Sequence, residues 1–157
     1  MPKIDVSKAG VRTIAAYPDG LREITADREK VMLGDVCGLT QFGVNLTRLK
    51  PGAWSSQRHW HETEDEFVYI VEGEVTLIED GGEAVLRAGD CAGWKAGVAN
   101  GHCLVNRSKA DVVFIEIGTR APVEECHYPD VDLHMKKDEG GVRFMRKNGE
   151  GFETKSK

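Results

Sequence analysis

The chain has 157 residues, 40% of them apolar and 30% charged, with a formal net charge of −5. That is enough for one domain with a hydrophobic core, too little for two, and too apolar for a disordered chain. The acidic balance excludes nucleic acid as the expected partner, which would need surplus Lys and Arg on one face, and no apolar run is long enough for a membrane-spanning helix.

The opening Met1-Pro2-Lys3-Ile4-Asp5-Val6 lacks the apolar core of a signal peptide, so a cytoplasmic location is expected. Cys37, Cys91, Cys103 and Cys126 form no C-x-x-C pair, so a thiolate zinc knuckle is unsupported and free thiols are expected. Residues 1–30 are mixed in pattern and read as an N-terminal extension. From residue 31 the strand signals begin. Phe42, Val44, Leu46 and Arg48 alternate with Gly43, Asn45 and Thr47 until Pro51-Gly52 ends the run. Phe67 to Val71 is β-branched and aromatic, and Val75 to Ile78 follows a Glu-Gly-Glu turn. Asp80-Gly81-Gly82-Glu83 predicts a tight hairpin, because glycine accepts the positive φ angles such turns require. Ala84 to Leu86 and Val112 to Ile117 complete the series. Strands every 8–12 residues with turn residues between them predict a sandwich or closed barrel over 31–118.

Residues 119–157 differ. Pro122, Pro129 and the Tyr128–Asp132 segment read as an extended arm, and from Lys136 on there are seven Lys or Arg against four Asp or Glu, a basic tail.

Three of the five histidines lie in two short segments. His59 and His61 are two apart, so on a strand they share a face. Glu66 opens the next strand and shares its parity with Val68 and Ile70, so it faces inward if they do. Two buried imidazoles and a buried carboxylate are costly unless paired, and a divalent cation pairs them.

The run from Gly52 through His59-Trp60-His61 and Glu66 to Gly73 resembles the first conserved motif of the cupin superfamily: a glycine, H-x-H, a glutamate and a further glycine. Gly89 through Gly97 and His102-Cys103-Leu104-Val105-Asn106 resembles the second, a glycine-rich turn followed by H-x3-N. The resemblance implies an all-β, double-stranded β-helix (jelly-roll) barrel with a metal in its mouth, held by His59, His61, Glu66 and His102. Three departures stand out. Gly52 is one residue further from His59 than usual, and Lys95 stands where the motif has proline. Asn100 stands where the fourth ligand normally sits. A two-residue insertion over Val98-Ala99-Asn100-Gly101 moves the ligand to His102 and keeps H-x3-N; without an insertion, the site has three ligands.

Three histidines and one carboxylate leave two positions open on an octahedral ion, the arrangement of a catalytic rather than a closed structural metal. Zn, Fe, Mn and Ni are all admissible. The chain resembles small single-domain cupins described as related to type II mannose-6-phosphate isomerase, which implies a sugar or hydroxy-carbonyl small molecule and isomerase, lyase or oxygenase chemistry. The alternative is a non-catalytic module in which the ion anchors a small ligand. A pocket with a second titratable group within hydrogen-bond reach of the ion's open positions favours the enzyme; a wholly apolar pocket favours the binder.

The remaining candidates have plainer readings. His127 and His134 read as surface residues of the arm, Glu62 to Asp65 as a solvated turn, and Trp54, Trp60 and Trp94 as barrel packing. Cys103 alternates away from the site. Arg48, Gln57 and Tyr69 are further pocket candidates. Open sheet edges need covering, so a homodimer is expected, with Val142, Phe144 and Phe152 available to a crossing arm.

Overall fold

The computed structural model describes residues 3–152; Met1, Pro2 and residues 153–157, which include Lys155 and Lys157 of the basic tail, lie outside the described residues. Val11–Arg12 (β1) and Arg28–Met32 (β2) precede one short helical turn, Leu33–Val36 (α1). Then come Phe42–Leu49 (β3), Trp60–His61 (β4), Glu66–Glu72 (β5), Glu74–Glu79 (β6), Gly82–Arg87 (β7), Cys91–Trp94 (β8), Cys103–Val105 (β9) and Val112–Thr119 (β10). The chain finishes with Glu124–Tyr128 (β11), Leu133–Asp138 (β12) and Gly141–Met145 (β13). No helix of the described residues is long and apolar enough to cross a membrane.

All pairing is antiparallel. One wall is a six-stranded sheet in the order β1-β2-β3-β10-β5-β8. The other is built from β7-β6-β9 and from β13-β12-β11-β4, and single bridges at Trp54–Val105 and His59–His102 link the two parts. This is the all-β barrel that the strand spacing admits, in the jelly-roll form that the cupin resemblance implies. Its core lies between the walls, with Leu49, Ile70, Val75, Leu77, Leu104, Val112 and Phe114 at most 5% exposed. Alternation decides who faces in: on β5, Glu66, Val68 and Ile70 point into the barrel while Phe67, Tyr69 and Val71 face out.

Gly73 shows why the β5–β6 turn needs glycine. Its φ is +81°, and a Cβ there would lie 2.7 Å from the carbonyl oxygen of Asp111. At the next hairpin, Glu79 pairs with Gly82 and leaves Asp80-Gly81 as a two-residue loop.

Both ends of the chain are woven into the barrel. β2 starts at Arg28 and pairs along β3, so residues 28–30 belong to the sheet. The segment expected as a projecting arm supplies β11, β12 and β13. Phe144 and Phe152 pack within their own chain against Cys126, Tyr128 and Leu133, joined by Tyr17 and Leu21 from the N-terminal segment. That replaces the crossing arm: these aromatics already have an apolar cover. Val142 stays exposed.

Candidate metal centre

β4 and the bridge beside it place His59 and His61, β5 places Glu66, and His102 immediately precedes β9. His59, His61 and Glu66 thereby meet His102, which lies 36 residues beyond Glu66, inside the barrel. Oε2 of Glu66 is the common point: Nε2 of His102 lies 2.7 Å away, that of His59 3.5 Å and that of His61 3.6 Å. His102 is 4% exposed.

Each imidazole is held by its other nitrogen. His59 Nδ1 donates to the carbonyl of Gln57 at 2.8 Å, and His102 Nδ1 to the carbonyl of Asn100 at 3.1 Å. His61 Nδ1 lies 3.3 Å from Oε1 of Glu124. With Nδ1 engaged in this way, all three Nε2 atoms converge on Glu66, the orientation in which an imidazole offers Nε2 to an ion. Donors around one ion at about 2.1 Å each sit roughly 3 Å apart, and the spacings from Glu66 to the three imidazoles are of that order. His59, Glu66 and His102 are one of several donor groups among the described residues that could hold a metal, and His59, His61 and Cys126 are another.

Electrostatics point the same way. Burial alone would raise the Glu66 carboxyl, but hydrogen bonds from His102 and His59 outweigh it and hold the group well below its ordinary value. Burial alone would lower His59, but the bond to Glu66 and its charge win and raise it. At His61 burial wins and the pKa falls. The carboxylate is therefore ionised and surrounded by imidazoles, an environment a cation completes.

Asn100 is not part of this constellation. Its amide contacts Glu79 and the backbone N–H of Asp80, on the far side of the turn. Glu79 also accepts from the indole of Trp94, whose ring stacks on His102 with centroids 3.9 Å apart. Gly101 permits the turn: a Cβ there would come within 2.8 Å of Pro129. The structure thus brings His102 to Glu66 and sends Asn100 away.

Several plainer readings need correction. Arg48 pairs with Asp111 on the surface, Gln57 bonds the Leu21 carbonyl, and Tyr69 is 43% exposed on the outer face, so none lines the cavity. Glu64, read as part of a solvated turn, faces the cavity and pairs with Lys137. His127 and His134 are half-buried rather than surface residues: His127 stacks on Trp60 and bonds Glu62, and His134 bonds Glu125. Trp60 does turn away from the two ligand candidates. Cys103 is buried, and burial pushes its thiol up to about 12.

Sequence reasoning missed the wall that β11 supplies. Glu124, Cys126 and Tyr128 alternate inward. Glu124 is 1% exposed and accepts from the backbone N–H groups of Glu62 and Thr63 at 2.9 Å each and from the Thr63 hydroxyl. Tyr128 stacks on His59. Beyond the histidines a cavity of about 380 Å³ opens into the barrel, lined also by Arg12, Arg28, Lys30, Glu116 and Tyr128.

Comparison with known proteins bears on this geometry. The family model for the cupin domain matches residues 45–118, which hold all four converging side chains. A crystal structure of a sugar phosphate isomerase of the cupin superfamily from Silicibacter pomeroyi is 44% identical, covers 98% of each chain and superposes with a TM-score of 0.92. The chain belongs to the cupin superfamily. Two further cupin-like folds are more distant. A candidate sugar phosphate isomerase from Acidithiobacillus ferrooxidans is 24% identical over 85% of this chain and 86% of its own, with a TM-score of 0.73. A predicted oxalate decarboxylase from Thermotoga maritima is 20% identical over 76% and 100%, with a TM-score of 0.60. At those identities the likeness concerns the fold alone, and one cupin barrel carries many chemistries. A search of the curated proteins gives no match.

Proposed function

We propose that this cupin is a metal-dependent enzyme acting on a small hydroxy-carbonyl substrate of the sugar type, and that His59, His61, Glu66 and His102 hold one divalent ion. The observation that carries the reading is the convergence of three Nε2 atoms on the Glu66 carboxylate at the inner end of a polar cavity. When bound, such an ion supplies Lewis-acid polarisation of a carbonyl or hydroxyl oxygen. The cavity also carries titratable groups outside that cluster. Glu116 faces it, held by Lys30, Asn45 and Thr47. Fixed by three donors, its carboxylate is the base available to move a proton on a substrate lying across the cavity. A purely anchoring module has no use for such a pair, and the 44% identity to a protein described as a sugar phosphate isomerase supports isomerase chemistry over the alternatives.

The test is proton exchange. Metal-loaded protein is incubated in D2O with a panel of aldoses, ketoses and their phosphates, and deuterium at the carbon next to the carbonyl is followed by NMR. Exchange that Glu116→Gln reduces on the order of a hundredfold or more supports the enzyme. Saturable ligand binding with no exchange for any member supports the binding module instead.

We also propose that the working form is a homodimer joined through the outer face of the six-stranded sheet. Val11, Val31, Leu46, Ile115, Tyr69 and Cys91 are directly paired neighbours, one on each strand, and form a row across the whole sheet with no charge in it. Val11 is 55% exposed, and a contiguous apolar face of this kind favours association.

A further inference from the structure

Arg28 is 5% exposed, and its Nε is buried without a hydrogen-bond partner among the described residues. A buried guanidinium with an unmet N–H is costly unless a ligand meets it. Its Nη1 reaches only the carbonyl of Ser55. Burial depresses its pKa, and the charge of Glu116 only partly opposes that. Glu116 itself is engaged by Lys30.

Strand register explains why three cations gather here. Arg28 and Lys30 are two apart on β2, so they share its inward face, and Arg12 on β1 is paired directly opposite Lys30. All three line the cavity that ends at the histidines. The Lys30–Glu116 pair is neutral. Among the described residues no carboxylate forms an ion pair with Arg12 or Arg28, so two positive charges face the cavity without a counter-ion.

We infer that Arg28 and Arg12 form an anion subsite that takes the phosphomonoester of a phosphorylated substrate. A phosphomonoester carries about −1.5 to −2 charges at neutral pH and matches the donor fork of arginine. The placement fits the substrate proposed above, and only the orientation of that substrate rests on the metal-dependent reading. β2 lies three strands from β5, about 14 Å at the usual strand spacing. Side chains reaching inward from both strands leave room for a short carbon chain, with the reacting carbonyl near Glu66 and the phosphate at Arg28.

Isothermal titration of the full chain with inorganic phosphate and, separately, with acetate tests this. Phosphate is expected to bind saturably and at least about tenfold more tightly than acetate. Arg28→Met should weaken phosphate binding about tenfold or more, and Arg12→Ala severalfold. Arg12 lies at the exposed rim, so Arg12→Ala decides the matter if Arg28→Met does not fold. No saturable phosphate binding, or binding unchanged in the folded variants, overturns the subsite. Acetate binding as tight as phosphate overturns the phosphomonoester assignment. His102→Ala separates the two readings. Phosphate binding that survives it places the anion on the arginines whatever becomes of the metal reading; phosphate binding that vanishes with it overturns the subsite.

Discussion

Nε2 of His102 lies 2.7 Å from Oε2 of Glu66, and the opposite nitrogen of the same ring bonds the carbonyl, not the side chain, of Asn100. On the proposed assignment the side chain of His102 is a ligand and that of Asn100 is not. His102→Ala is expected to lower affinity for a divalent ion by two orders of magnitude or more, as loss of an imidazole ligand does. Asn100→Ala should leave affinity within about threefold, because alanine keeps the carbonyl that His102 uses. Metal stoichiometry by elemental analysis and affinity by competition with a chromophoric chelator check both. Normal binding by His102→Ala with loss in Asn100→Ala would reverse the assignment.

Glu124 should matter to the metal without touching it. It orients His61 and is itself fixed by Glu62 and Thr63. Such outer partners typically contribute 10–100-fold in metal affinity. Glu124→Gln retains the shape and one acceptor, and is expected to weaken binding about tenfold; Glu124→Ala should weaken it further. Equal affinity in all three proteins would remove Glu124 from the site.

Glu66 could be found from sequence because its neighbours Val68 and Ile70 share its parity, and local alternation is enough to aim it. β3, β5, β6, β7 and β10 were legible from local alternation or apolar runs with turn residues between them. Glu124 was not. A glutamate in Pro-flanked sequence looks solvated, and its burial depends on backbone donors some sixty residues away that no periodicity encodes. Pro122 and Pro129 lie just outside β11 and bound that strand rather than abolish it. Arg28 was hidden likewise: a charged residue near the end of the mixed segment 1–30 gives no sign that it will be buried at the start of β2.

Arg58 ties the C-terminal segment to the barrel. It bonds both oxygens of Asp130, at 2.7 and 2.6 Å, and pairs with Asp80 in the β6–β7 loop. The Arg58 bond holds the Asp130 carboxyl below its ordinary value of 3.8. The unfolded chain therefore takes up this proton first as pH falls. The contact contributes stability above about pH 4 and is lost as pH drops through the native pKa. Arg58→Ala should cost about 1 kcal/mol at pH 7, or roughly 2–4 °C in melting temperature. The gap between variant and parent should narrow as pH falls below 3.8 and close once Asp130 is protonated in the folded chain too. A gap that persists in acid would show that Arg58 acts through packing rather than through Asp130.

The proposed dimer face and the four thiols can be read in one experiment. Cys37 is exposed and lies outside the apolar row, whereas Cys91 is exposed and ends it, opposite Tyr69. Cys103 and Cys126 are buried, and burial raises both thiols. Thiolate is the reacting form, so iodoacetamide at pH 8 should label Cys37 rapidly and Cys103 and Cys126 only on unfolding. Cys91 is the reporter. In a dimer joined through the row it should be protected at high protein concentration and labelled at high dilution. Ile115→Glu places a charge at the centre of the row without entering the barrel core, because Ile115 alternates outward from Phe114. That substitution should yield a monomer by light scattering and make Cys91 labelling independent of concentration, while metal binding is kept. A parent chain that is monomeric at micromolar concentration, or a variant that remains dimeric, would remove this face as the interface.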